Sequence, residues 1–329
     1  MSTRTSPRVS VVVVSYNSSE TLLRCFDCLS AQTYSDFQVV LVDNASQVSP
    51  GEFLSRLTMP VTYLEMTNNL GFAQAMNIGL EASDSPLLVA LNPDAFPHPN
   101  WLEALVTASD EHNNIAAFGS LQISAADSEC IDGYGDHYLI SGQAWRGQSR
   151  PKPEARHIDH CFGVCAAGAL YRTAALREIG GFDQRFFCFY EDIDVSFRLR
   201  LAGYGCAVVP TAVIDHIGGA SFVGKSDFAE YLIARNQWWV LIRNMPTLLL
   251  IVAVPGFALI QITAMIKSRR PARLKGLWES LRRTREFLPS RRHIQTKRKI
   301  SALQVARYLS WNPCDFRRKT SPSIRAELY

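Results

Sequence analysis

The chain has 329 residues, 47% of them hydrophobic and 19% charged, enough to bury one large core or two modest ones and too apolar for compositional disorder. Its formal charge of +4 hides an asymmetry: residues 267–329 carry 18 Lys and Arg against 4 Asp and Glu, so an acidic body of net −10 bears a basic tail of net +14. Eight cysteines without a paired framework, and an N-terminal apolar run (Val11 to Val14) too short for a secretory leader, predict a reducing, cytoplasmic setting rather than a secreted disulfide scaffold.

Residues 9–14, VSVVVV, predict a short buried strand, and Ser15-Tyr16-Asn17-Ser18-Ser19 the loop that caps a helix from about Glu20 to Ala31. Cys25-x-x-Cys28 falls inside that helix with no second CxxC, so it reads as buried structural thiols and not as a zinc or redox half-motif. Phe37 to Val42 predicts a second strand ending in Asp43-Asn44-Ala45-Ser46. Val61 to Glu65 predicts a third, followed by Asn68-Asn69-Leu70-Gly71-Phe72 and a helix through about Glu81. Leu87 to Leu91 has the length and unbroken apolarity of a strand buried on both faces, and Pro93 stops its ladder. Asp94 is thereby delivered at a strand's carboxyl end, the edge where open α/β sheets bind ligands, and a carboxylate there can hold a divalent cation against a diphosphate. A helix around Asn100 to His112 and a strand from Ile115 to Leu121 extend the pattern. Strand, polar loop and helix at this spacing predict a parallel, doubly wound sheet over residues 1–120. No G-x-G-x-x-G follows the first strand and no G-x-x-x-x-G-K-[ST] occurs anywhere, which argues against a dinucleotide dehydrogenase or a P-loop NTPase.

Residues 122–160, with IDGYGD and a run rich in Gln, Arg and Pro, read as a mobile loop over the site or as a surface excursion. Ala166 to Arg172 is a small-residue segment running into a helix near Ala174 to Ile179, stopped by Gly180-Gly181. Four aromatics within residues 186–190 then precede Glu191, Asp192 and Asp194 at the start of an amphipathic helix to Gly203. Carboxylates suit a helix's positive end, and burial beside an apolar wall raises a carboxylate's pKa towards that of a useful base. Ala207 to Pro210 and Ala212 to Ile214 predict a short strand pair leading to His216 on a Gly-rich loop, where an imidazole can complete a cation's coordination with Asp94 and phosphate oxygens.

Taken together and in order, VVVVSYNSSETLLRCFDCL, LVDNAS, NNLGFAQAMNIGL, LLVALNPDA, GGFDQRFFCFYEDIDVSFRLRLAGY and DHIGGAS make residues 8–222 resemble the inverting nucleotide-sugar glycosyltransferases of family 2, in their rhamnosyltransferase-like branch. The resemblance implies an α/β GT-A fold with a mostly parallel doubly wound sheet, a nucleotide-diphosphate sugar donor, a divalent cation (Mg2+ or Mn2+) and single displacement with inversion. It implies that Ser15, Asn17 and Asp43 hold the nucleoside and that Asn69, Gly71 and Asn77 line the ribose and diphosphate. Asn92-Pro93-Asp94 stands where the family has Asp-x-Asp, so that Asn92 meets the donor, Asp94 is a metal ligand and His216 the second. Asp192 is the implied general base, with Glu191 beside it as the lesser candidate. Two departures are Asn92 in place of a carboxylate, which weakens metal binding by the protein alone, and Met76 where many relatives carry a basic residue, which leaves diphosphate neutralisation more dependent on the cation.

Residues 245–266 carry no charge over 22 positions, long enough to cross a bilayer, and Pro255-Gly256 is expected to break them into a shallow or re-entrant hairpin. The tail from Lys267 through Lys299 mixes Arg pairs with Leu277, Trp278, Leu281, Phe287 and Leu288 as interfacial helices do; a helix pair packed on the body is the other reading. The chain thus divides into a catalytic domain, 1–222, and a helical membrane-associating region, 223–329. The expected activity moves a sugar, rhamnose from its dTDP form or another sugar from a UDP donor, to a lipid-linked or cell-envelope glycan acceptor at the cytoplasmic face of the membrane. A catalytically silent scaffold or glycan-binding member is the rival, opposed by the joint presence of Asp94, Asp192 and His216. A nucleotidyltransferase lacks its phosphate loop here, and nothing resembles a nucleic-acid-binding fold.

Overall fold

Val9–Ser15 (β1) and Leu87–Leu91 (β4) are buried at every residue because each lies between two other strands and under helices on both faces. Around them a computed structural model describes residues 6–50, 54, 57, 59–148, 158–218, 226–268 and 270–320. The first half adds α1 (Ser19–Ser30), β2 (Phe37–Asp43), β3 (Val61–Glu65), α2 (Phe72–Glu81), β5 (Ala95–Pro97), α3 (Trp101–Glu111) and β6 (Ile115–Ser124). The second half adds β7 (Asp127–Tyr134), β8 (Asp136–Tyr138), β9 (Ala144–Arg146), β10 (Asp159–His160), β11 (Gly168–Arg172), α4 (Thr173–Glu178), α5 (Glu191–Leu201) and β12 (Gly205–His216). A C-terminal series follows: α6 (Asp227–Asn244), α7 (Thr247–Ser268), α8 (Pro271–Arg282), α9 (Leu288–Lys297), α10 (Ala302–Tyr308) and α11 (Pro313–Arg318).

The main sheet runs β10-β12-β6-β11-β4-β1-β2-β3, with β5 added to β12 and β7 to β6. The parallel arrangement expected from the strand spacing holds for β3, β2, β1 and β4. Strand β11 then inserts antiparallel between β4 and β6, with Gly168 beside Leu91, so the whole sheet is mixed. That insertion sets the turn before β11 against the end of β4, where Asn92 N donates to Ala167 O at 3.0 Å. The strand period of two divides the core: Val11 and Val13 face Leu22, Phe26, Trp101 and Leu105 of α1 and α3, whereas Val12 and Val14 face the side of Met76, Leu80, Val195 and Leu199.

Three expectations change. The strand pair around Pro210 is one strand, β12, whose register with β6 shifts between Val209 and Val213; the irregularity takes up a residue with no N–H for the ladder. Residues 122–148 are hairpin, not loop: β7 pairs with β6, and β8 with β9 in the register Asp136 to Arg146, while residues 149–157 lie outside the described ones. The apolar segment does not break at Pro255 into a hairpin, because α7 continues through it. Buried Ala253 and Phe257 flank the proline, the latter 5.3 Å from the Trp238 ring, and this packing offsets the lost hydrogen bond.

The C-terminal helices share a third apolar cluster with α5, in which Phe186, Phe197, Trp239, Leu249 and Phe287 meet. Helix α8 lies on α6 through Ala272, Gly276 and Ser280, so closely that a Cβ at Gly276 would collide with the Tyr231 carbonyl. The boundary expected near residue 222 falls among residues 219–225, outside the described ones.

Candidate active site

The ends of β1 and β4, the turn before β11, the β8–β9 hairpin and the start of α6 enclose a cavity of about 960 Å³. This is within the range of small-molecule and cofactor sites, about 300–1,000 Å³. Asn69, Gly71, Asn92, Asp94, Glu191, Asp192 and His216, all expected from sequence, line it.

Within this lining, Asp94 and His216 are brought together by β5, which follows Pro93 and pairs with β12 in the register Ala95 to His216. His216 Nε2 stands 3.5 Å from Asp94 Oδ1, buried and without a hydrogen-bond partner. His216 Nδ1 lies 2.8 Å from Asp132 Oδ2, an oxygen that also accepts from Arg146 Nη1 at 2.9 Å. Burial disfavours the imidazolium, yet Asp132 and Asp94 outweigh it and raise the His216 pKa above the ordinary value. Burial likewise opposes ionisation of Asp132, but His216 and Arg146 prevail and lower its pKa. A buried imidazole nitrogen facing a carboxylate oxygen at this spacing fits two adjacent ligands of one divalent cation that accepts nitrogen as well as oxygen. Among the described residues no third His, Cys, Asp or Glu completes the set, which leaves further positions to phosphate oxygens and water.

Elsewhere in the lining, three carboxyl groups share a desolvated wall. Asp136 lies opposite Arg146 in the β8–β9 pair, and burial, then the charge of Asp192, pushes its pKa up to about 8. Glu191 is buried with Oε2 unpartnered, and burial and Asp192 raise its pKa well above the usual range. Burial raises Asp192 as well, against the opposing pull of Arg146 and backbone amides. Its Oδ1 accepts from Ile193 N at 2.8 Å and its Oδ2 from Ala166 N at 3.4 Å. Asp192, with Arg146 and backbone amides opposing its burial, therefore carries charge more readily than Asp136 or Glu191. Asp194, the third acid of the motif, is structural: it binds Arg198, Arg243 and Asn244 in the core.

These acids are presented by a strained turn. Phe187, Phe189 and Tyr190 all have φ near +66 to +68°, a region that bulky residues avoid. Asn236 Nδ2 on α6 holds the turn, fanning across the carbonyls of Phe186, Cys188 and Phe189 at 3.0, 2.9 and 2.7 Å, and Arg235 Nη2 adds a bond to Phe186 O at 2.8 Å. Gly71, at φ +80°, passes so close that a Cβ would fall 2.5 Å from Phe187 Cδ2.

The residues expected to hold the nucleoside are arranged differently from the sequence reading. Asn44, not read from sequence, lines the cavity and accepts from Leu70 N at 2.8 Å while donating to Asn69 Oδ1 at 2.9 Å. Asp43 is buried beside it, accepting from Ser46 N and Tyr63 OH, each at 3.2 Å. Asn17 Oδ1 accepts from Gln47 N at 2.8 Å; with Asp43 and Ser15 it braces the loops beside the cavity, whose wall is formed instead by Tyr16. Asn77 is a correction: its amide spans the Phe182 backbone, donating to O at 2.7 Å and accepting from N at 2.8 Å, and does not reach the cavity. Asp132, Asp136, Trp145 and Arg146 escaped the sequence reading because they lie in the stretch read as loop, and only the fact that IDGYGD contains two acids marked it. Gly219 to Ser221 lie outside the described residues.

Residues 10–180, just over half of the chain, match the family described as "Glycosyl transferase family 2". Over 254 residues the chain is 28% identical to an N-acetylglucosaminyl-diphospho-decaprenol L-rhamnosyltransferase of Mycobacterium tuberculosis, covering 69% of this chain and 81% of that one. Among solved structures it is similar to S. aureus TarS 1–349 in complex with UDP-GlcNAc, with a TM-score of 0.58 and 14% identity over 95% of this chain and 92% of that one. The mannosyltransferase PcManGT from Pyrobaculum calidifontis, in complex with GDP-Man and Mn2+, gives a TM-score of 0.53 and 18% identity over 89% and 84% of the two chains. The structural likenesses carry the GT-A fold, and with the family match they place this chain in glycosyl transferase family 2, with a rhamnosyltransferase among its relatives.

Proposed function

We propose that the chain transfers a sugar, rhamnose from dTDP-rhamnose as the leading choice, from a nucleotide-diphosphate donor to a lipid-linked acceptor with inversion at the anomeric carbon. The observation that carries this reading is one cavity lined both by a cation-type pair, Asp94 and His216, and by an ionisable carboxylate, Asp192. A divalent cation bound by that pair would stabilise the charge that develops on the departing diphosphate. Asp192 takes the acceptor hydroxyl's proton on its Oδ oxygens, a step worth about 10²–10⁴ in rate. Asn44, Asn69 and Gly71 order the nucleotide end. The choice of rhamnose and of a lipid-linked acceptor is supported by the mycobacterial relative's name.

The same reading sets the protein on the cytoplasmic membrane face. Thr247–Ile266 has a mean hydropathy of 2.3 with only 22% of its most apolar stretch buried. Its exposed Ile251 and Ile266, each at 71%, join exposed Leu274, Trp278 and Leu281 of α8, with Lys275 and Arg282 alongside. An apolar face rimmed by cations suits an anionic lipid surface.

The test is release of nucleoside diphosphate from dTDP-rhamnose and a panel of UDP-sugars, with Mn2+, with Mg2+ and with EDTA. Cation-dependent turnover of one donor, lost in Asp94→Ala, is expected. Turnover untouched by EDTA and by Asp94→Ala would remove the cation from the account, and no turnover of any donor would remove the activity.

A further inference from the structure

One carboxylate oxygen joins two side chains of the cavity lining. Asp132 Oδ2, on β7, meets both His216 Nδ1 at 2.8 Å and Arg146 Nη1 at 2.9 Å. Beyond the histidine lies Asp94; beyond the arginine, across the β8–β9 pair, lies Asp136, and Arg146 and Asp192 line the same cavity. Among the described residues that line the cavity, Arg146 is the sole Lys or Arg. Its other contact is Gln122 Oε1 at 3.3 Å.

We propose that Asp132 and Arg146 are positioning residues that tie the cation-binding half of the site to the proton-accepting half. Asp132 fixes the His216 ring with Nε2 turned towards Asp94, and Arg146, anchored on the same oxygen, supplies the positive charge against which Asp192 bears its negative one. The inference rests on the roles given above to Asp94, His216 and Asp192.

An ionised carboxylate only accepts, so the His216 nitrogen facing Asp132 carries a proton, and Nε2 is the nitrogen left to offer a lone pair, any proton on it being displaced when a cation binds. A ring without that partner can turn. Asp192 shares the cavity lining with Glu191 on its own helix, Asp136 on β8, Arg146 on β9, Cys165 in the turn before β11, and Cys188 and Tyr190 in the turn before α5, and its charge is felt also by Tyr171 on β11. Arg146 alone of these is a cation. Removing its charge leaves Asp192 among neutral and acidic groups in a dry wall, where it ionises only at higher pH. The bland alternative is a partly exposed ion pair that only staples β7 to β9, which would be worth little and would touch neither property.

Asp132→Asn, Arg146→Gln and Arg146→Lys in the full chain separate the two. Mn2+ affinity, read by electron paramagnetic resonance with Mn2+ alone, is expected to fall about 10–100-fold in Asp132→Asn, the usual consequence of losing the partner of a histidine ligand. In Arg146→Gln the acidic limb of the kcat profile at saturating Mn2+ moves up by at least a pH unit, and Arg146→Lys restores most of it. Carbon NMR titration of the Asp192 carboxyl reports the same movement without any turnover, so a wrong donor or a silent enzyme does not mask the result. Wild-type Mn2+ affinity in Asp132→Asn together with an unmoved Asp192 titration in Arg146→Gln, with only the melting temperature lowered, would reduce the pair to a staple and overturn the proposal.

Discussion

Asp136, Glu191 and Asp192 occupy one desolvated wall with a single guanidinium, so their charges cannot all persist at neutral pH. This has a consequence for stability. Asp136 has a folded-state pKa near 8, above the value of about 3.9 in an unfolded chain, so its contribution favours folding at low pH and is lost as pH rises through 8. Asp136→Asn should therefore raise the melting temperature relative to wild type by more at pH 8 than at pH 5, by about a few degrees. An equal effect at both pH values would show that Asp136 is already ionised. Asp94, Asp192, Glu191 and His216 were legible because each sits beside a local signal: a proline ending an apolar strand, an aromatic run before a helix, a glycine-rich loop. Asp132, Asp136 and Arg146 gain meaning only through β8–β9 pairing and the reach of β12, which no local pattern announces. Asn77 shows the converse, since its place in a familiar motif did not foretell that the Phe182 backbone would claim its amide.

Among the elements, the turn before α5 matters most to the acids it presents. Three non-glycine residues at positive φ persist there because Asn236 and Arg235 of α6 hold the carbonyls. Asn236→Leu should cost about 1–3 kcal/mol in urea unfolding, since it strands buried acceptors, and should lower kcat by displacing Asp192. Unchanged stability would mean that the turn is held by its own packing. Gly71→Ala meets both a strained φ and the Phe187 ring, and is expected to abolish nucleotide binding in calorimetry; normal binding would show that the turn can shift aside. Most strands and helices of the first half were readable to within a residue or two from their apolar period. The exceptions have long-range causes: β11 comes from far along the chain to separate β4 from β6, and α7 passes through Pro255 because Ala253 and Phe257 are packed on either side.

At the scale of the whole molecule, an acidic catalytic body and a basic, apolar-faced helical layer share one core, through Phe186, Trp239 and Phe287. The outer face of that layer predicts binding to vesicles containing anionic lipid, weakened by salt, and lowered about tenfold or more by Leu274→Ser with Trp278→Ser. Binding that ignores both changes would assign the face to another partner. The central claim is narrower: one cavity holds the donor and uses Asp192 as the base. It is tested most directly by measuring donor affinity and turnover side by side in wild type and Asp192→Asn. The account predicts donor affinity within a few fold of wild type and turnover lower by about 10²–10⁴. Turnover retained within tenfold while the donor still binds would contradict it.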